Sequence, residues 1–315
     1  MTRFKSKLIV LTCFLVLTGS RNNDLGIYPC SLGDQKSVDA ILQRTEKTLK
    51  SNPDDLDEMF QRSYALFVNG QINEGLALCE KLITKEKTFR SRDLHYRILK
   101  RTGDFEGSLQ DVSTFMSTEK EVAFLYTCQF LKATFLYRLD RIPEAIKQLE
   151  NIEKDLNSDA EVFYLKALCY KKLNYKAKEL EALEKAILVG SNIGQYRLSR
   201  ATLTVSKKDQ CLRDLDTFIE INTKNTKDQN IRPQYLFTFG KAASLFLEMG
   251  DTQRALELCR MGIAQGEEKY ELWKVQAQAL IKMKKMAEAK AVIAQAEVWL
   301  DEQNALLASE KEQKQ

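Results

Sequence analysis

Histidine is nearly absent: the 315 residues hold one, His95. That excludes zinc sites built on two histidines, the HExxH arrangement and any constellation that needs a second imidazole. Glycine and proline are scarce as well, at 13 and 4, too few for an all-β chain that turns roughly every 8–12 residues. There is no CxxC pair, no Gly-rich phosphate loop and no GxSxG elbow. No catalytic residue, cofactor site or metal site is expected, and the chain is read as a non-enzyme. Neither sign of charge dominates: the net charge is +4, without the concentrated basic face that nucleic-acid binding needs. Its densest basic run, Lys85 to Arg101, also contains Glu86 and Asp93 and reads as a solvated or partner-facing helix, so no nucleic-acid partner is expected.

What is present is ordinary for a folded chain: 44% hydrophobic and 29% charged residues, which argues against wholesale disorder. The length permits one or two domains or one long array. Arg3, Lys5 and Lys7 precede an apolar run from Leu8 to Gly19, after which polarity returns at Ser20. A basic start, a short apolar centre and small residues at its end make residues 1–20 a signal peptide. The run is short of the about 20 residues that span a bilayer as a helix. Export is therefore expected, periplasmic or in the cell envelope if the source is bacterial. The alternative is a chain attached to the membrane by an uncleaved N-terminal segment. Leu17-Thr18-Gly19-Ser20 resembles a bacterial lipoprotein signal, but Ser20 cannot supply the thiol that is lipidated.

Once Cys13 leaves with the signal, six cysteines remain, and their spacing follows helices rather than a small disulfide framework. They read as small buried hydrophobes. Cys30, in a Gly- and Pro-containing linker over 21–36, is the exposed exception.

From Ser37 the pattern is helical throughout. A capping helix over 37–53 ends at Asn52-Pro53, and repeating helix pairs follow over 54–300. The pattern is plainest in two copies 34 residues apart. One runs Phe239, Ala243, Phe246, a Gly250-Asp251 turn, Ala255, Cys259 and Gly262. The other runs Trp273, Ala277, Leu280, a Lys284-Lys285 turn, Ala289, Ile293 and Ala296. Helical spacings on both sides of a short break describe an antiparallel helix pair with small residues at the closest approach. Turns at 70, 103, 140, 174, 206, 250 and 284 mark seven such pairs, with steps of 33, 37, 34, 32, 44 and 34. The long step contains a polar insertion over 222–232. Tyr96 and Glu179 occupy positions that are small elsewhere, and in the fifth pair Ser199, Thr202 and Cys211 are assigned to the seam. A helix end and polar tail close the chain over 301–315, leaving no stretch for a second domain.

The 34-residue period with this arrangement resembles the tetratricopeptide repeat. The resemblance implies an all-α, right-handed α-solenoid of about seven antiparallel helix pairs whose first helices line a concave wall. Read by register, that wall takes Phe60, Tyr64 and Phe67; Arg90, Asp93, Arg97 and Lys100; Phe130, Thr134 and Tyr137; Tyr164 and Lys171; Tyr196 and Arg200. Ser244, Lys274 and Gln278 follow in the last two pairs. Aromatic and basic residues carry much binding energy at interfaces, and such a wall suits a peptide with acidic and apolar side chains. The family's carboxylate clamp also needs asparagines that this chain lacks, so that mode is not carried over. The resulting expectation is a protein- or peptide-binding scaffold or assembly adaptor, with cell-envelope association. A glycan- or cell-wall-associated accessory protein or enzyme, and a structural spacer, stay open as alternatives. Nothing in the residues fixes the oligomeric state.

Overall fold

Six of the seven expected turns close in the same way. One or two residues past the end of each of these first helices the backbone turns left-handed, at Gly70, Gly103, Asp140, Asn174, Gly250 and Lys284, with φ between 59° and 87°. The next amide then reaches five residues back, as in Gln71 to Leu66 O, Asp104 to Leu99 O and Lys285 to Leu280 O, each at 2.9 Å. This Schellman geometry satisfies carbonyls that the end of a helix leaves open and reverses the chain sharply. The fifth turn is the exception. Thr204-Val205-Ser206-Lys207 contains no left-handed residue, and the link is held by Lys207 N to Thr204 O at 2.8 Å.

The computed structural model describes residues 35–86, 88–118, 122–155, 159–225, 239–267 and 269–312. The stretch read as a signal peptide, all but the last two residues of the expected linker, and Cys30 lie outside them. Among the described residues all regular structure is helical, in fifteen helices with no strand. The chain divides into two compact units, Met1–Tyr175 and Lys176–Gln315. Both are built from the same antiparallel helix pairs, the plan of an α-solenoid.

The first unit holds α1 (Gln35–Ser51), then α2 (Leu56–Val68) with α3 (Ile72–Lys85), and α4 (Phe89–Thr102) with α5 (Phe105–Thr118). It continues with α6 (Val122–Arg138), α7 (Ile142–Asp155) and α8 (Ala160–Lys172). Close approach within a pair depends on small residues. Ser63 Oγ donates to Gly75 O at 2.7 Å, and a Cβ on Gly75 would lie 3.1 Å from Ser63 O. Ala133 and Ala145 repeat the arrangement, both fully buried. Around these contacts lie the expected seams, Leu66, Cys79 and Leu82 in one pair and Leu136, Leu149 and Ile152 in another. Burying such a side chain contributes about 1.5–3 kcal/mol. Tyr96, large where a small residue is usual, is buried with its ring edge-on to Phe135. Asp55 caps α2 by accepting from the Glu58 amide, while its neighbour Asp54 pairs with Lys85 at 2.8 Å.

The second unit holds α9 (Lys176–Val189), α10 (Gly194–Leu203) with α11 (Lys208–Asn225), α12 (Phe239–Glu248) with α13 (Thr252–Ala264), and α14 (Lys269–Lys282) with α15 (Met286–Glu312). Its core gathers Leu198, Ala201, Cys211, Leu215, Phe218, Phe239 and Phe246, among others. Two expectations change here. The insertion begins later than Asn222, because α11 continues to Asn225 and Asn222 is buried with its amide donating to Phe218 O. In the fifth pair Leu198 and Ala201 are the fully buried residues, whereas Ser199 and Thr202 are half-buried. α10 has only ten residues and lacks the regular turn, so its buried face is rotated from that of the other first helices. Glu179, at its small-residue position in α9, is buried.

Candidate functional site

First helices of successive pairs neighbour one another in each unit, α2 beside α4, α6 beside α8, and α12 beside α14. Their outward residues therefore form a wall in each unit. The residues assigned to it by register separate into two groups.

Phe60, Asp93 and Phe130 are equivalent positions in three different first helices, and they and Tyr196 of α10 are all buried, at 1%, 2%, 7% and 0% exposure. Sequence register placed them on the open wall, and the structure removes them from it. In a stacked array this face is covered by neighbouring helices: the Arg90 guanidinium of α4 lies 3.9 Å above the Phe60 ring of α2. Arg90 also pairs with Asp57 at 2.8 Å, so it too is committed to joining consecutive pairs. Tyr164 is half-buried. Lys274, in the last described pair, keeps the position exposed because no described pair stacks on it.

The second group does reach the surface. In the first unit it comprises Tyr64 and Phe67 of α2, Arg97 and Lys100 of α4, Thr134 and Tyr137 of α6, and Lys171 of α8. Arg97 Nε donates to Asp93 Oδ2 at 2.7 Å from the same helix, which fixes the guanidinium over a buried carboxylate. Burial pushes the Asp93 carboxyl up, and the Arg97 charge opposes that rise. Burial likewise works against the Arg97 charge, but Asp93 more than offsets it and the guanidinium is held firmly protonated. Burial raises the Tyr64 phenol while Arg97 opposes it, so these residues of α2 and α4 feel one another.

Lys100 is different. Partial burial, then the like charges of Arg97 and Arg138, lower its pKa. Its ammonium, Arg138 and Lys171 have no carboxylate partner among the described residues. Like charges held together without compensation, as at Lys100 and Arg138, favour an incoming anion. Beside them Lys172 bonds Asp140 at 2.8 Å and stands 4.6 Å from the centre of the Tyr137 ring. The wall thus offers ring faces and unpaired cationic donors, suited to a segment with apolar and acidic side chains.

The corresponding wall of the second unit is much less charged. Between α12 and α14 lies a cavity of about 430 Å3 lined by Ser244, Leu247, Glu248, Gln278, Ile281 and Lys282. Lys282 Nζ donates to Leu247 O at 3.0 Å, and the larger aromatic and arginine groups of the first unit are missing. Arg200, expected on a wall, instead turns to α11. Its Nε and Nη2 donate to the two oxygens of Asp214 at 2.8 and 2.7 Å.

One polar cluster escaped sequence reading. His95 Nδ1 bonds the Asp111 carboxylate, and Arg92 Nη1 lies 3.4 Å from the same group, all three largely buried between α4 and α5. A signal existed: His95 lies eight residues before Gly103 and Asp111 eight after it, so an antiparallel pair turning there brings them face to face. Among the described residues no group of His, Cys, Asp and Glu is arranged to hold a metal ion. All five described cysteines are buried, as expected, and burial pushes the thiols of Cys79, Cys169 and Cys259 up to about 12.

No protein-family model and no curated protein matches the sequence. Solved structures do match. A tetratricopeptide repeat protein from Parabacteroides merdae superposes with a TM-score of 0.54 at 17% identity, covering 77% of this chain and 92% of that one. The fold is that of the tetratricopeptide repeat. PilF of Pseudomonas aeruginosa shares it, with a TM-score of 0.51 at 15% identity over 71% of this chain and 97% of that one. So does the hetero-tetramer Cut9–Hcn1 of the APC/C, at 0.55 and 11% identity, over 91% of this chain and 53% of that one. At these identities the likeness establishes the tetratricopeptide-repeat architecture and not a shared partner.

Proposed function

We propose that this protein is a non-enzymatic scaffold or assembly adaptor that docks an acidic, partly apolar segment of a partner protein on the first-helix wall of its first unit. The observation that carries the reading is the set Tyr64, Arg97, Lys100, Tyr137 and Lys171. These are partly or fully exposed residues on four successive first helices, with Lys100 and Lys171 lacking a carboxylate partner among the described residues. Large aromatics and cations on a preorganised helical face are what peptide-binding surfaces use for affinity. The Cut9–Hcn1 structure is by its name an assembly with a partner protein, which supports the reading by analogy of fold. Export belongs to the same proposal and is supported by the basic start and the Leu8–Gly19 run. N-terminal sequencing of the mature protein tests it, with a start near residue 21 expected and an intact Met1 contradicting it.

The docking test compares wild type with Lys100→Glu/Tyr137→Ala in affinity capture from the native compartment. Arg97→Glu is avoided because it would set a second carboxylate against buried Asp93 and threaten the fold. A partner retained by wild type and lost by the folded double variant supports the proposal. Equal retention by both removes the docking site from this wall.

A further inference from the structure

The second unit carries a separate surface feature where its fifth turn departs from the pattern. Without a left-handed residue the link Thr204–Lys207 is open, and beside it lies a cavity of about 390 Å3 bounded by α9, α10 and α11. Its charged rim is mainly cationic: Arg200 from α10, Lys207 at the end of the link, then Lys208 and Arg213 of α11. Arg200 is fixed rigidly, since two of its three nitrogens bond Asp214, whose side chain is 1% exposed. That bond holds the guanidinium firmly protonated at the cavity edge.

The other three cations are uncommitted. Lys207, Lys208 and Arg213 have no carboxylate partner among the described residues, and Arg213 donates only to Gln210 Oε1, at 3.0 Å. Two carboxylates share the rim. Asp209 lies in the first turn of α11, where a negative charge favours the helix itself, and Glu184 projects from α9 across the cavity. Cations therefore outnumber acids on the rim. An apolar element adjoins them. Leu180 lines the cavity, and Leu188, two turns further along the same face of α9, is 83% exposed, an unusual cost for a leucine.

We propose that this cavity is a second docking site, for an acidic peptide segment whose carboxylates lie among Lys207, Lys208 and Arg213 and whose apolar side chain covers Leu188. α9 and α11 are second helices of their pairs, so the site is distinct from the first-helix walls and does not depend on the proposal made for them. Charge complementarity selects the occupant: with four cations on the rim against Glu184 and Asp209, an acidic chain is attracted and a basic one is repelled. The structure also explains why the site sits at this repeat. A regular Schellman turn with Gly or Asn after α10 is absent, and Thr204 and Lys207 take its place at the cavity edge.

The test uses the full chain and a fluorescently labelled peptide, Glu-Glu-Leu-Glu-Glu, with Gln-Gln-Leu-Gln-Gln as the control, followed by fluorescence anisotropy. Wild type should bind the acidic peptide and not the glutamine one, with affinity falling as salt rises. Lys207→Glu/Lys208→Glu should weaken binding about tenfold or more, as reversal of two contacting charges does. Leu188→Ser should weaken it several-fold. Both alter exposed side chains, so the melting temperature should hold, and both are made in chains that already carry Lys100→Glu/Tyr137→Ala, so that the first-unit wall does not contribute to the signal. Failure of the protein to bind in that background, equal binding of both peptides, or affinity unchanged by Lys207→Glu/Lys208→Glu would overturn the site.

Discussion

The Glu267 carboxylate accepts a hydrogen bond from the Phe239 amide at 2.9 Å, and its second oxygen accepts from Gly240 at 3.2 Å. A residue after α13 thus caps the start of α12 from 28 positions away, satisfying first-turn amides that a local side chain serves in many helices. Gly262 completes the arrangement, because a Cβ there would meet the Glu267 carboxylate at 2.8 Å.

Burial raises the pKa of Glu267 above its ordinary 4.5, and the two backbone bonds only partly oppose the rise. The folded state therefore binds a proton more tightly than the unfolded one. This group's contribution is fully present below pH 4.5 and is lost as pH rises through the folded pKa. Urea unfolding of wild type and Glu267→Gln across pH 4–7 checks it. The stability of wild type relative to the variant should fall with rising pH, and Glu267→Ala should cost about 1–2 kcal/mol through loss of the cap.

Lys284 occupies a left-handed turn at φ 60°, where Gly70, Gly103 and Gly250 serve equivalent turns. An L-residue is disfavoured there by about 1–2 kcal/mol. Lys284→Gly should therefore stabilise the second unit by about 1 kcal/mol, and Lys284→Val should destabilise it, measured by urea midpoint.

Asp111 is the shared acceptor for buried His95 and Arg92. Asp111→Ala leaves both without it and should cost about 3 kcal/mol or more, because an unpaired buried charge is the expensive outcome. Asp111→Asn keeps an acceptor and should cost less. Denaturant unfolding of the two variants distinguishes this from a surface pair, whose loss would cost under about 1 kcal/mol.

The five buried cysteines should not react with a thiol reagent in the native protein once Cys13 and Cys30 are replaced by serine. The thiolate is the reactive form, and burial holds Cys79, Cys169 and Cys259 at about 12. Rapid labelling before denaturant is added would contradict the packing.

The turns were legible in the sequence because they depend on local chemistry: Gly70, Gly103, Asp140, Asn174 and Gly250 are residues that tolerate left-handed backbone, and each was placed correctly. Small pairs such as Ala243 and Ala255 were equally plain, since their spacing is set within one helix pair. Which outward face remains open was not legible from one repeat. Phe60, Phe130 and Tyr196 sit opposite the seam of their own pair, but contacts from neighbouring helices bury them, and those contacts belong to the stack. Their aromatic character was the available hint. Arg200 was misplaced for another reason: the short α10 is rotated, so register carried over from the regular repeats failed there.

The central claim is that a partner protein lies on the first-helix wall of the first unit. The most direct measurement is photocrosslinking in the native cell, with a benzoylphenylalanine placed in turn at Lys100, at Thr134 and at Lys147 on the exposed face of the second helix α7. The account predicts an adduct to one protein from positions 100 and 134, absent from position 147. Crosslinks from 147 alone, equal crosslinks from all three, or none from any would contradict it.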